Sequence, residues 1–118
     1  MHDYKDLKVW QDSIDFVVSV YELTKAFPSE EIYALTSQIK RAVVSIPSNI
    51  AEGANRNTDK EFIQFLYIAL GSASEVETQL IIANRLGYLE NIETESDQIT
   101  SIRKMINALI KSIRRRSN

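Results

Sequence analysis

Residues 58–83 read TDKEFIQFLYIALGSASEVETQLIIA, and their spacing decides the class of fold. Phe62, Leu66, Ala69, Ala73, Val76, Leu80 and Ala83 recur at steps of three and four without a slip, which is the period of one face of an α-helix. Ahead of them Thr58-Asp59-Lys60-Glu61 has the form of a capping box: the Thr58 hydroxyl accepts the Glu61 N–H while the Glu61 carboxylate reaches back. Behind them Gly87 follows Leu86 and suits a left-handed helix end.

Three more segments carry the same period. Leu7, Trp10, Ile14, Val17 and Tyr21 form the first seam, Ile32, Leu35, Ile39, Ala42 and Ile46 the second, and Ile99, Ile102, Ile106, Leu109 and Ile113 the last. Phe27-Pro28-Ser29 ends the first helix, and Ser29 is placed to cap the second, with Glu30 and Glu31 in its first turn. Thr94 or Ser96 is placed to start the fourth. Pro47 falls inside the second pattern, where it removes one hydrogen bond. Ile46, Ile50 and Ala51 carry the period past it, which favours a kinked, continuous helix over a broken one. Short connections make consecutive helices antiparallel. The reading is an all-α, antiparallel, up-down-up-down four-helix bundle occupying residues 1–118 as a single domain.

Composition agrees with this and narrows the chemistry. The chain of 118 residues has 44% apolar and 25% charged residues, with only three Gly and two Pro; long helices need few breakers. It has no Cys, which removes disulfides, thiolate metal sites and thiol catalysis and fits a reducing compartment. The start, Met1 to Asp6, is acidic with no apolar core behind it, unlike a signal peptide. No uncharged apolar run approaches the roughly 20 residues that span a bilayer. A cytoplasmic location, with no membrane partner, is expected. His2 is the sole histidine, and no Gly-rich loop precedes a helix. Hence no metal, no cofactor and no catalytic residue is expected. Carboxylate acid–base chemistry at Glu52, Glu75 or Glu77 is the weakest alternative; ion pairs and solvated faces account for these residues more simply.

The net charge of −2 is unevenly spread. Residues 103–118 hold six of the 14 basic residues and no acid, which leaves eight bases against 16 acids, or −8, in residues 1–102. Arg103, Lys104, Lys111, Arg114, Arg115 and Arg116 are therefore candidate phosphate contacts. They also lie where cations complement a helix C-terminal dipole. No aromatic residue interleaves the cluster, and no core position depends on the cations that follow Ile113.

Two further patterns suggest contacts. If the second and third helices form a hairpin, Gln38 faces Gln79, Arg41 faces Glu75 and Ser45 faces Ser72. With Asn49 and Glu52 these residues make a polar seam, which reads either as a polar groove or interface or as a wet face with one ion pair. Arg41 and Glu75 are expected to pair across the two helices or between subunits. The first helix carries a second apolar stripe, Val9, Phe16, Val20, Leu23 and Phe27, and the third is apolar nearly all round, with Phe65, Ile68 and Leu70 outside its seam. A bundle buries one face of each helix, so Phe16, Val20, Leu23, Phe27, Phe65, Ile68 and Leu70 are expected to be buried by other subunits of a homo-oligomer.

Several runs resemble a known family. Leu7-Lys8-Val9-Trp10, Phe27-Pro28, Leu35 to Ala42, and above all Ser45-Ile46-Pro47-Ser48-Asn49-Ile50-Ala51-Glu52-Gly53 are similar to the bacterial four-helix-bundle family of 23S rRNA intervening-sequence proteins. Phe65-Leu66, Ala69 to Ser72, Glu75 to Leu80 and Leu86 to Leu89 continue the match, so that it spans nearly the whole chain. The resemblance implies a four-helix fold and often a homopentamer. A relative of that family, the accessory variability determinant of diversity-generating retroelements, binds its reverse transcriptase and nucleic acid through basic surfaces; the acidic body of this chain departs from that pattern. Taken together, the expectation is a non-enzymatic oligomeric adaptor, pentameric by preference, binding RNA or an RNA-associated protein through its basic C-terminal helix end. The alternative is a protein-only oligomeric scaffold.

Overall fold

The computed structural model describes residues 3–117; Met1, His2 and Asn118 lie outside it, and with them the expectation about the sole histidine. Four helices account for most of the chain: α1 (Lys8–Thr24), α2 (Leu35–Ala54), α3 (Asp59–Arg85) and α4 (Glu93–Ser117). Short 3-10 turns at Tyr4–Asp6 and Ser29–Glu31 precede the first two. The described residues contain no strand. One apolar cluster draws on all four helices, centred on Phe16, Ile39, Ile46, Leu66, Leu80 and Ile106. The molecule measures 49 × 24 × 20 Å, a length set by α3, whose 27 residues rise about 40 Å.

The helix ends show local chemistry at work. The Thr58 hydroxyl accepts the Glu61 N–H at 3.2 Å and donates to the Glu61 carboxylate at 3.0 Å, so the box closes through side chains rather than through the Thr58 amide. At the far end of α3 the Gly87 N–H donates to the Asn84 carbonyl and the Tyr88 N–H to the Ala83 carbonyl. This is a Schellman closure, with Gly87 at φ 83° supplying the left-handed residue. The α4 start is earlier than expected, at Glu93, whose N–H is taken by the Asn91 side chain at 2.8 Å. The α2 start is later. Ser29 opens a 3-10 turn instead of capping the helix, and Glu31 accepts the Leu35 N–H at 3.2 Å. Ile32, counted in the second seam, therefore precedes α2 and is 50% exposed. From Leu35, α2 runs unbroken through Pro47.

The largest correction concerns α1. Its core face is Val9, Ser13, Phe16, Val20 and Thr24, the second stripe and not the first. Phe16 is 1% exposed and Val20 0%, and Phe27 is buried beside the Tyr88 ring at 5.6 Å between centroids; Leu23 packs half-buried against the same core. Phe16, Val20, Leu23 and Phe27 thus serve their own subunit rather than a neighbour. Ile14 and Tyr21 of the supposed seam are exposed instead. The reason is local. Ser13 and Thr24 interrupt the true core stripe, so counting apolar residues passes it over. In the helix the Ser13 hydroxyl donates to the Val9 carbonyl at 2.6 Å and the Thr24 hydroxyl to the Tyr21 carbonyl at 2.7 Å. Both polar groups are satisfied within one turn and can be buried without a stranded donor. On α3, Phe65 and Leu70 are half-buried and Ile68 stays exposed.

Candidate nucleic-acid interface

The last acid in the chain is Asp97. Beyond it α4 turns Ile99, Ile102, Ile106, Ile110 and Ile113 into the core, which leaves the outward face to its cations. Lys104, Lys111 and Arg115, seven and four residues apart, fall on one stripe and are all exposed. The stripe is about 16 Å long at 1.5 Å rise per residue. Among the described residues none of the three has an ion-pair partner. The other three expected cations are engaged. Arg103 donates to Glu77 at 2.6 Å, in a pair about two-thirds shielded from solvent. Arg114 donates to the Tyr67 hydroxyl at 2.9 Å and stands over that ring. Arg116 binds Asp59 at 2.9 Å, and Ser117 donates to the same carboxylate.

Thus Arg114 and Arg116, which the sequence offers as phosphate contacts or as complements to the helix dipole, fasten the end of α4 to the start of α3. The hydrogen bonds from Arg116 and then Ser117 hold the Asp59 carboxyl below its ordinary range. The folded state therefore releases this proton more readily than the unfolded chain. The tether's contribution is present above the unfolded pKa and is lost as pH falls through the lowered one. Tyr67 is the aromatic residue that the basic run itself lacks. It lies 47 residues from Arg114, and only the register of α3 against α4 could have disclosed it.

The polar seam forms in part. Ser72 donates to the Ser45 hydroxyl at 2.8 Å, as the hairpin register expects, and the Asn49 amide donates to both the carbonyl and the hydroxyl of Ser45. Glu52 pairs with Arg56 at 3.5 Å. Gln79 is buried and its amide reaches Glu75 at 3.4 Å, while its carbonyl oxygen has no partner. Gln38 and Arg41 are exposed. Within the chain no ion pair joins Arg41 to Glu75 among the described residues, so the expected intrachain pairing is absent; both heads face water, where an exposed pair gains little. The pair that does form joins Glu77, for which an ion pair is the simpler sequence reading, to Arg103, a candidate phosphate contact. Replacing Glu77 by Gln should lower stability by about 1 kcal/mol, measured by urea denaturation, with Arg103→Gln giving a similar loss and the double change little more. Independent, additive losses would mean the pair is not coupled.

Among the described residues no group of three His, Asp or Glu is close enough to hold a metal ion, and no helix is long and apolar enough to cross a membrane.

Fold and surface together define an all-α four-helix protein with a cationic stripe on its last helix. The family model of the 23S rRNA-intervening sequence protein matches residues 5–108, and the chain belongs to that family. Among solved structures it is similar to a protein of unknown function of the S23 ribosomal protein family from Bacteroides thetaiotaomicron, at 32% identity over 87% of this chain and 98% of that one, with a TM-score of 0.80. No curated protein matches the chain.

Proposed function

We propose that this protein is a non-enzymatic, oligomeric adaptor of the cytoplasm that binds RNA along the outer face of α4. The observation that carries this reading is the stripe of Lys104, Lys111 and Arg115, exposed and, among the described residues, without ion-pair partners, in a chain whose residues 1–102 carry a net −8. Fixed cations in a line exchange the counterions of a phosphate backbone. The Tyr67–Arg114 pair at the stripe's end offers a ring and a planar guanidinium for an unpaired base. The subunit is taken as an antiparallel up-down-up-down bundle. The start of α3 meets the end of α4 (Asp59 with Arg116), a later part of α3 meets an earlier part of α4 (Glu77 with Arg103), and Ser45 of α2 meets Ser72 of α3, which supports that topology. A ring of five is the assembly that the family resemblance implies.

The second reading is a protein-only oligomeric scaffold with no nucleic-acid binding. It is favoured by the engagement of Arg103, Arg114 and Arg116 inside the chain. Filter binding of single-stranded RNA across a salt series separates the two. Affinity should fall steeply with salt, and changing Lys104, Lys111 and Arg115 together to Gln should flatten the log–log slope by about 2, at roughly 0.7 per phosphate contact. A folded oligomer that holds no RNA at low salt would leave the scaffold reading standing alone.

A further inference from the structure

A cavity of about 490 Å³ opens between α3 and α4, lined by Lys60, Ile63, Gln64, Tyr67, Arg114 and Ser117. Its size is within the roughly 300–1,000 Å³ of sites that take small molecules. On the α3 side Lys60, Ile63, Gln64 and Tyr67 lie within two turns on one face of the helix. Ile63 packs against the core, while Lys60, Gln64 and Tyr67 are exposed. Arg114 closes the cavity from α4. It lies about 60° around that helix and about 4.5 Å along it from Lys111, so the cavity adjoins the cationic stripe. No carboxylate is among its lining residues.

The Tyr67 ring is 47% exposed, yet it is held in place. Arg114 donates to its hydroxyl at 2.9 Å, and the guanidinium stands 5.6 Å from the ring centroid. A ring already fixed by a neighbour loses little freedom when a flat group is laid on it. The other polar groups of the cavity are uncommitted: among the described residues Lys60 has no ion-pair partner, and the Gln64 amide makes no hydrogen bond within the chain.

We infer that this cavity takes one unpaired base of single-stranded RNA, stacked on Tyr67, with Lys60 and Lys111 on the flanking phosphates. Every base has a π-face, and an amide such as Gln64 offers both a donor and an acceptor to the base edge, so the slot tolerates any sequence. It does not tolerate a duplex, whose bases are paired and stacked on one another and cannot enter. The inference rests on the reading that α4 binds RNA; it adds the form of the RNA and the residue that holds a base.

Filter binding to two probes tests both levels: a short single-stranded RNA, and the same sugar–phosphate strand without bases. Wild type should hold the base-bearing strand more tightly. Tyr67→Ala, with its helical melt retained, should weaken that strand by about 5- to 150-fold and leave the baseless strand unchanged. Its salt slope should stay that of wild type, because stacking releases no counterions. Tyr67→Phe keeps the ring and drops the hydrogen bond from Arg114, and should retain most of the affinity. Equal losses in Tyr67→Ala and Tyr67→Phe would make Tyr67 a tether for α4 and overturn the base slot. Equal affinity of wild type for the two strands would overturn it too. A wild type that binds neither strand at low salt would instead overturn the RNA reading of α4 itself.

Discussion

Phe16→Ala should destabilise the isolated subunit by about 3–5 kcal/mol, the usual cost of emptying an aromatic site in a core. Phe16 is 1% exposed and belongs to the cluster shared by the four helices. Its neighbours along α1, Val9, Ser13 and Val20, are also buried, so little can move in to refill the space. A domain of this size is stable by roughly 5–15 kcal/mol, so the loss should be plain in urea denaturation. It should also be the same at high and low protein concentration, because the ring packs inside one subunit. Had Phe16 been an intersubunit contact, the substitution would act on association, and its effect would fade on dilution to monomer. A loss under about 1 kcal/mol would remove Phe16 from the core and return it to the surface.

That result bears on what the sequence could convey. The four helices were legible because their apolar residues recur at the helical period and because Thr58 and Gly87 mark real ends of α3. The face that α1 buries was not legible. The stripe from Leu7 to Tyr21 has the unbroken apolar spacing, whereas the stripe that is buried contains Ser13 and Thr24, whose hydroxyls bond back to their own helix. Hydropathy counts such residues as polar although, once bonded, they behave as small core residues. The α2 start was misread because Ser29, Glu30 and Glu31 carry the composition of a helix cap while forming a 3-10 turn.

At the site, the distinction between local and distant partners explains most of the outcome. The Ser45–Ser72 contact followed from one assumption about the α2–α3 turn. The division of the basic residues did not follow, because Glu77, Asp59 and Tyr67 reach Arg103, Arg116 and Arg114 from another helix. Sequence counts charges; only the register decides which remain free. The cationic stripe on which the RNA-binding proposal rests is what is left after those partners are assigned. The apolar surplus survived the reassignment too, since burying the Phe16 stripe leaves Ile14, Val18 and Tyr21 at the surface.

Gly53→Leu should be the most damaging change to the α2–α3 packing, at about 3 kcal/mol or more, the upper end of the cost of overfilling a packed site. The most extensive helix contact in the molecule is between α2 and α3, and Gly53 stands where they come together. A Cβ placed on Gly53 would lie 2.7 Å from the Phe65 Cβ, 3.0 Å from the Phe62 ring and 3.2 Å from the Phe62 carbonyl. The Phe65 Cβ and the Phe62 carbonyl are bound to the α3 backbone, so no rotamer change can yield the space and the helices must part. Alanine, with one carbon, already makes that clash, and its better helix propensity, worth about 1 kcal/mol, offsets only part of the cost. Gly71→Ala supplies the control: it gains the same propensity with nothing in its way and should raise the stability of the dilute subunit by about 1 kcal/mol. Thermal melts of the three variants below the association threshold should therefore rank Gly71→Ala above wild type, and wild type above Gly53→Ala. If Gly53→Ala were as stable as Gly71→Ala, the two helices would be free to separate at no cost, and the close approach at Gly53 would not be what sets their spacing.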